Sequence, residues 1–175
     1  MANVIVISGS MGSGKTTVLA EASDLLAARG VVHAAVDLDA LGIAYLAEEE
    51  RNDLIHRNLA SIWENYAAAG VTRLLLAAAV ESRAELDRIQ KAIPGSTVVV
   101  CRLRARLETM QQRVSVREPG MLREQLIARV AELDTLLDRA QLEDFSLAND
   151  DASVTDVARE LLVRAGWIVA ALHPL

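Results

Sequence analysis

The chain has 175 residues, 52% of them hydrophobic and only 3% aromatic, enough for one domain whose core must be filled by aliphatic side chains. Its formal net charge of −6 argues against a protein whose main task is to coat nucleic acid or an anionic membrane. A single cysteine, Cys101, has no partner for a disulfide and is expected to be a buried thiol in a reducing, cytoplasmic setting. Met1 stands so close to the first apolar run that no signal peptide is expected, and no apolar stretch approaches a membrane span.

The run Val4 to Ile7 predicts a strand, and Gly9-Ser10-Met11-Gly12-Ser13-Gly14-Lys15-Thr16 follows it directly, fitting G-x-x-x-x-G-K-[ST] at every fixed position. Val18, Leu19, Ala22, Leu25 and Leu26 then recur at helical spacing. This is a P-loop in its required context of strand, glycine turn and helix. Its backbone N–H groups converge on phosphate oxygens, and the helix presents its positive dipole end to the same anion. Lys15 would reach the β/γ-phosphates and Thr16 would offer its hydroxyl to Mg²⁺, while Gly9, Met11, Gly12, Ser13, Gly14 and Thr17 complete the expected nucleotide contacts. The chain has two lysines, Lys15 and Lys91, so a lysine at this position is unlike a compositional accident.

Strands and helices alternate thereafter, which favours a parallel sheet covered on both faces. Val31 to Val36 predicts a second strand with Asp37-Leu38-Asp39 at its end. A helix carrying Leu54, Leu59, Trp63 and Tyr66 runs to Gly70, and a third strand spans Val71 to Val80. Ser82-x-x-Glu85 is a capping box for a helix that Pro94-Gly95 closes, followed by a strand from Thr97 to Cys101. Arg102 to Arg139 reads as helical, broken at Glu118-Pro119-Gly120, with a candidate lid at about 104–122. A short strand, Phe145 to Ala148, leads to Asn149-Asp150-Asp151; Ser153 caps the last helix, and Trp167 to Leu172 predicts a final short strand or a packed tail.

In open parallel sheets the ligand lies outside the carboxyl ends of the strands, where three groups of residues fall. Asp37 and Asp39, two apart, point the same way if strand geometry persists. One could hold Mg²⁺ while the other bonds an acceptor hydroxyl; the alternative is a solvated turn with one aspartate as helix cap. Five arginines between 102 and 117 face one acid, Glu108, a local charge of +4. Arg113 and Arg117, four apart on one helical face, fit the transferring phosphoryl group best, against the alternative of a solvated helix with salt bridges. Asn149 stands where a loop would hold the nucleotide base, although helix capping explains the polar residues there equally well. Asp150 occupies the place of the lysine in an Asn-Lys-x-Asp guanine loop, so GTP specificity is not supported. Arg57 and Arg83 are further acceptor candidates, on a solvated helix face and in a first helical turn. His33, expected within a strand, and His56 and His173 lack metal-ligand spacing and receive no role.

These residues resemble the small P-loop kinases, the group that includes shikimate, gluconate and adenylylsulfate kinases, chloramphenicol phosphotransferase and the nucleoside monophosphate kinases. The likeness rests on Gly9 to Thr16, on Asp37-Leu38-Asp39 as an Asp-x-Asp, and on the arginine segment from Arg113 to Glu118. It implies an α/β fold with a five-stranded parallel sheet of order 2-3-1-4-5, helices on both faces, a helical lid, and ATP with Mg²⁺ as donor. It implies Asp37 as metal-associated or base carboxylate, Asp39 as an acceptor contact, and Arg113 and Arg117 as lid groups on ATP. The third strand ends Ala77-Ala78-Ala79-Val80, without the Gly-Gly of shikimate kinase or a Walker B aspartate, so metal support falls to Thr16 and Asp37. The expectation is a kinase acting on a small hydroxyl- or phosphate-bearing molecule, with no nucleic acid or membrane as partner. The competing reading is a nucleotide-binding regulatory protein.

Overall fold

The computed structural model describes residues 1–169. The fold is built on five strands, β1 (Ala2–Ser8), β2 (Ala34–Asp37), β3 (Arg73–Ala77), β4 (Ser96–Arg104) and β5 (Phe145–Ala148), all parallel in the order β2-β3-β1-β4-β5. Six helices connect or follow them: α1 (Lys15–Ala27), α2 (Glu48–Ala68), α3 (Arg83–Ala92), α4 (Leu107–Arg117), α5 (Arg123–Ala140) and α6 (Val154–Arg164). A 3₁₀ turn, Asp39–Gly42, follows β2. This is the three-layer α/β arrangement and strand order that the resemblance to the small P-loop kinases implied.

The period-two alternation of β1 divides the core. Val4 and Val6 point to one face with Leu74 and Leu76 of β3, where Leu59 and Trp63 of α2 and Leu86 and Ile89 of α3 cover them. Ile5 and Ile7 point to the other face with Leu75 and Cys101, under Val18 and Leu26 of α1 and Leu161 of α6. Cys101 is fully buried and unpaired, and burial pushes its thiol up to about 12. Trp167 and Ile168 pack against this second face and Val169 is exposed; residues 170–175, with His173, lie outside the described residues. A third, smaller cluster of Met110, Val114 and Val130 joins α4 to α5.

Three strand limits differ from the sequence reading. β2 begins at Ala34, because the Val31 N–H bonds back to Leu26 O to close α1 around Gly30, and Val32 is 62% exposed. His33 therefore precedes the strand; one ring nitrogen lies 2.8 Å from Ser23 Oγ. β3 covers only Arg73–Ala77, since the Val71 N–H closes α2 on Tyr66 O. β4, by contrast, extends to Arg104, so Arg102 and Arg104 lie on a strand and not on a helix. Its extension is held on one side by β1 through Ser8 and on the other by Ser146 and Ala148 of β5. The Ser82 hydroxyl accepts from Glu85 N as a cap should, whereas the Glu85 carboxylate turns to His56.

Candidate active site

The P-loop emerges from the carboxyl end of β1, and its glycines are required by the protein behind them. Gly9, Gly12 and Gly14 have φ of 148°, 77° and 97°. A Cβ on Gly12 would strike the Met110 carbonyl of α4, one on Gly14 the Asn149 amide, and one on Gly9 would come within 2.5 Å of Ser13 Oγ. Positive φ at these three glycines bends the loop into a concavity beside the first-turn amides of α1 that no helical carbonyl can take. Three other elements brace the loop. Ser10 Oγ donates to Val130 O of α5 at 2.8 Å, Asn149 Nδ2 donates to Ser13 O at 2.7 Å, and Met11 packs into the α4–α5 cluster.

Lys15 is buried and donates to Gly9 O at 3.0 Å and Ser10 O at 3.2 Å, leaving one of its three protons without a protein acceptor. Burial lowers its pKa, opposed by Asp39 and Asp37. Thr16 Oγ1 donates to Asp37 Oδ2 at 2.6 Å, and Asp37 Oδ1 accepts from Asp39 N at 3.2 Å. Strand geometry does not persist from Asp37 to Asp39, because Leu38 takes helical angles and begins the 3₁₀ turn. The two carboxylates nevertheless converge near Lys15. Asp39 keeps exposed surface, but the cleft walls around it desolvate the carboxyl and raise its pKa, with Lys15 opposing.

Two cavities meet here. One of about 300 Å³ is bounded by the P-loop from Met11 to Thr17, Asp39, Arg113 and Arg117. The second, of about 870 Å³, lies between the 3₁₀ turn, α2 and the loop after β3, and carries Asp39, Tyr45, Arg51, Glu85 and Arg129. Asp39 is the one described residue that lines both. The second cavity has dimensions suited to a small molecule.

The structure separates the arginines. Arg113 donates to Gly12 O at 3.2 Å and Asn149 O at 2.9 Å, tying α4 to the P-loop; Arg117 is exposed at the cavity edge, its Nε bonded to Glu118. Arg102 is 1% exposed and held by Asp134 at 2.7 Å and Asp138 at 2.8 Å, Arg104 shares Asp138, and Arg106 pairs with Asp151. Arg102 and Arg104 tie β4 to α5, and Arg106, exposed just before α4, joins it to the loop after β5. Arg57 lines a different cavity, between α2 and α3, and Arg83 is exposed outside the cleft lining. The cleft's cations are Arg51 and Arg129, which the sequence reading missed. Arg51 follows an acidic run and Arg129 stands 48 positions from Glu81, its partner at 3.3 Å, so neither carried a local signal.

The donor set suits the groups that a P-loop implies. Thr16 and Asp37 present adjacent hard oxygens, and Mg²⁺ needs only one or two protein ligands when phosphates supply others.

No family model matches the chain, and no curated protein sequence matches it. Among solved structures, the chain is similar to a sugar kinase from Janibacter sp. at 21% identity, covering 93% of this chain and 94% of that one with a TM-score of 0.65. It is similar to a gluconokinase from Sinorhizobium meliloti at 20% identity, covering 94% and 91% with a TM-score of 0.62. It is also similar to the APS kinase of Mycobacterium tuberculosis, solved with AMPPNP and APS, at 20% identity, covering 92% and 95% with a TM-score of 0.66. The fold is that of the small P-loop kinases.

Proposed function

We propose that this chain is a kinase that moves the γ-phosphoryl group of ATP to a small hydroxyl- or phosphate-bearing molecule seated in the larger cleft. The observation that carries this reading is the place of Asp39 at the junction of the P-loop cavity and that cleft. A carboxylate there faces the donor phosphate on one side and an acceptor hydroxyl on the other. Its raised pKa makes it a better proton acceptor than an ordinary aspartate.

In this reading the P-loop amides and Lys15 hold the donor phosphates, with the third Lys15 proton directed to a phosphate oxygen. Thr16 and Asp37 hold Mg²⁺, which when bound neutralises charge on the phosphate oxygens. Asp39 orients the acceptor hydroxyl and takes its proton. Arg113 fixes the loop through Gly12 O, and Arg117 reaches the same cavity from α4. Asn149 acts by bracing the loop at Ser13. The segment at 104–122 closes this side of the site, and catalysis is chiefly positioning and charge stabilisation.

The test is a panel of sugars, hydroxy acids and nucleoside monophosphates assayed for acceptor-stimulated ADP release. One or more acceptors should raise ADP release well above background hydrolysis, and both Lys15→Ala and Asp39→Asn should abolish the stimulation. β3 runs into Ala77-Ala78-Ala79 with no carboxylate at its end, which favours a second reading, a regulatory protein that binds nucleotide without transfer. Tight ATP binding with no stimulation across the panel would select it.

A further inference from the structure

A third cavity, of about 780 Å³, lies between α2 and α3 and shares no lining residue with the P-loop cavity or the acceptor cleft. Leu46, Leu54, Ala60 and Ala92 give it an apolar wall, and Leu46 is left 46% exposed. Arg57, Arg88 and Lys91 stand around it and outnumber Glu50 and Asp53, in a chain whose net charge is −6. Among the described residues none of these three cations forms an ion pair, whereas Arg102, Arg104, Arg106, Arg117 and Arg129 each hold a carboxylate.

His56 links this cavity to the acceptor cleft. Its Nδ1 lies 2.7 Å from Asn52 O, and a carbonyl only accepts, so that nitrogen carries the proton. Its buried Nε2 then faces Glu85 Oε1 at 3.4 Å, where a neutral ring would set a lone pair against a carboxylate. The Glu85 carboxylate raises the pKa of His56, with burial of the ring and, more weakly, Arg88 of α3 opposing. Glu85 in turn lines the acceptor cleft.

We propose that the α2–α3 cavity is a second ligand site, for a small organic anion that joins an apolar body to a charged head, and that its occupant is felt in the acceptor cleft through His56 and Glu85. A bare inorganic anion would leave the apolar wall unused, and a neutral apolar ligand would leave the excess of cations over Glu50 and Asp53 unanswered. An anion in the cavity strengthens the charge on His56 and so its hold on Glu85, drawing that carboxylate away from the cleft. By linkage, a cleft ligand that competes for Glu85 weakens the anion in the same proportion. The site is independent of whether phosphate is transferred.

The experiment uses the full chain with 1-anilinonaphthalene-8-sulfonate as anionic probe and N-phenyl-1-naphthylamine as its neutral counterpart, read by fluorescence and by amide and imidazole NMR. The sulfonate should saturate one site, shift resonances of residues 46–60 and 88–92, and raise the pKa of His56. It should persist under saturating ATP–Mg²⁺ and bind about tenfold more weakly to the Arg88→Gln/Lys91→Gln pair, which leaves nucleotide binding intact. The neutral probe should bind weakly. Displacement by ATP–Mg²⁺, shifts clustered elsewhere, equal affinity for the neutral probe, an unmoved His56, or full affinity in the double variant would each overturn the proposal. The NMR map on the unaltered chain decides the matter even where the variant folds poorly.

Discussion

Thr16 Oγ1 and Asp37 Oδ2 are joined by a 2.6 Å hydrogen bond that fastens the first turn of α1 to the end of β2. The hydroxyl proton is committed to the carboxylate, so the remaining lone pairs of both groups are available to a hard cation. Asp37→Asn would turn an acceptor into an amide that competes for the same geometry. Turnover should fall by about a hundredfold or more, and the Mg²⁺ concentration giving half-maximal rate should rise. Unchanged Mg²⁺ dependence would remove the metal role from Asp37.

Lys15→Ala removes the one buried cation of the P-loop. ATP affinity should drop by about tenfold or more, with turnover falling further, because the lost charge matters most as phosphate charge redistributes. Titration calorimetry separates the two effects. A variant that binds ATP normally would show that the amide cradle suffices.

Asp39 supplies a prediction with opposite signs for activity and stability. Its folded-state pKa lies above the unfolded value, so the folded chain holds the proton more tightly, and stability is lost as pH rises from the unfolded value through the folded one. Asp39→Asn should melt at a higher temperature than the unaltered protein at neutral pH, and the gap should close below the ordinary aspartate range. The same variant should lose acceptor-stimulated turnover, and in the unaltered protein turnover should fall as pH drops through the raised pKa.

Arg102 tests a purely structural ion cluster. It is 1% exposed, while Asp134 and Asp138 are 31% and 51% exposed. Removing both acids leaves the buried guanidinium only Glu143 at 3.8 Å and the carbonyl of residue 134, so Asp134→Ala/Asp138→Ala should cost about 2–4 kcal/mol, short of a fully stranded charge. Arg102→Met leaves acids that water can reach and should cost distinctly less. Denaturant melts compare them directly, and equal costs would contradict this asymmetry.

The alternation of strands and helices and the phosphate loop were legible because both depend on local pattern, whereas the sheet order came from the resemblance to the small P-loop kinases. β1 alternates between two buried faces, Gly9 and Gly14 are set by backbone demands that only glycine meets, and Lys15 and Thr16 follow them at fixed spacing. The limits of β2, β3 and β4 were not legible: at Val31 and Val71 the N–H closes the preceding helix five residues back in competition with the strand, and the extension of β4 through Arg102 and Arg104 is decided by pairing with distant Ser146 and Ala148. Asp37 and Asp39 were picked out for their spacing along a strand, yet a 3₁₀ turn brings them together. Arg51 and Arg129 reach the cleft from helices whose sequences give no hint of a shared wall.

The bracing of the P-loop by Met110, Val130 and Asn149 makes it a mechanical hub for α4, α5 and the loop after β5. In the proposed function, phosphate held there would tighten α5 and the loop after β5, whose contacts lie more than a hundred positions from the loop in sequence. Occupancy should therefore be readable as slowed amide hydrogen exchange in the middle of α5, a reporter that requires no label at the nucleotide and no knowledge of the acceptor.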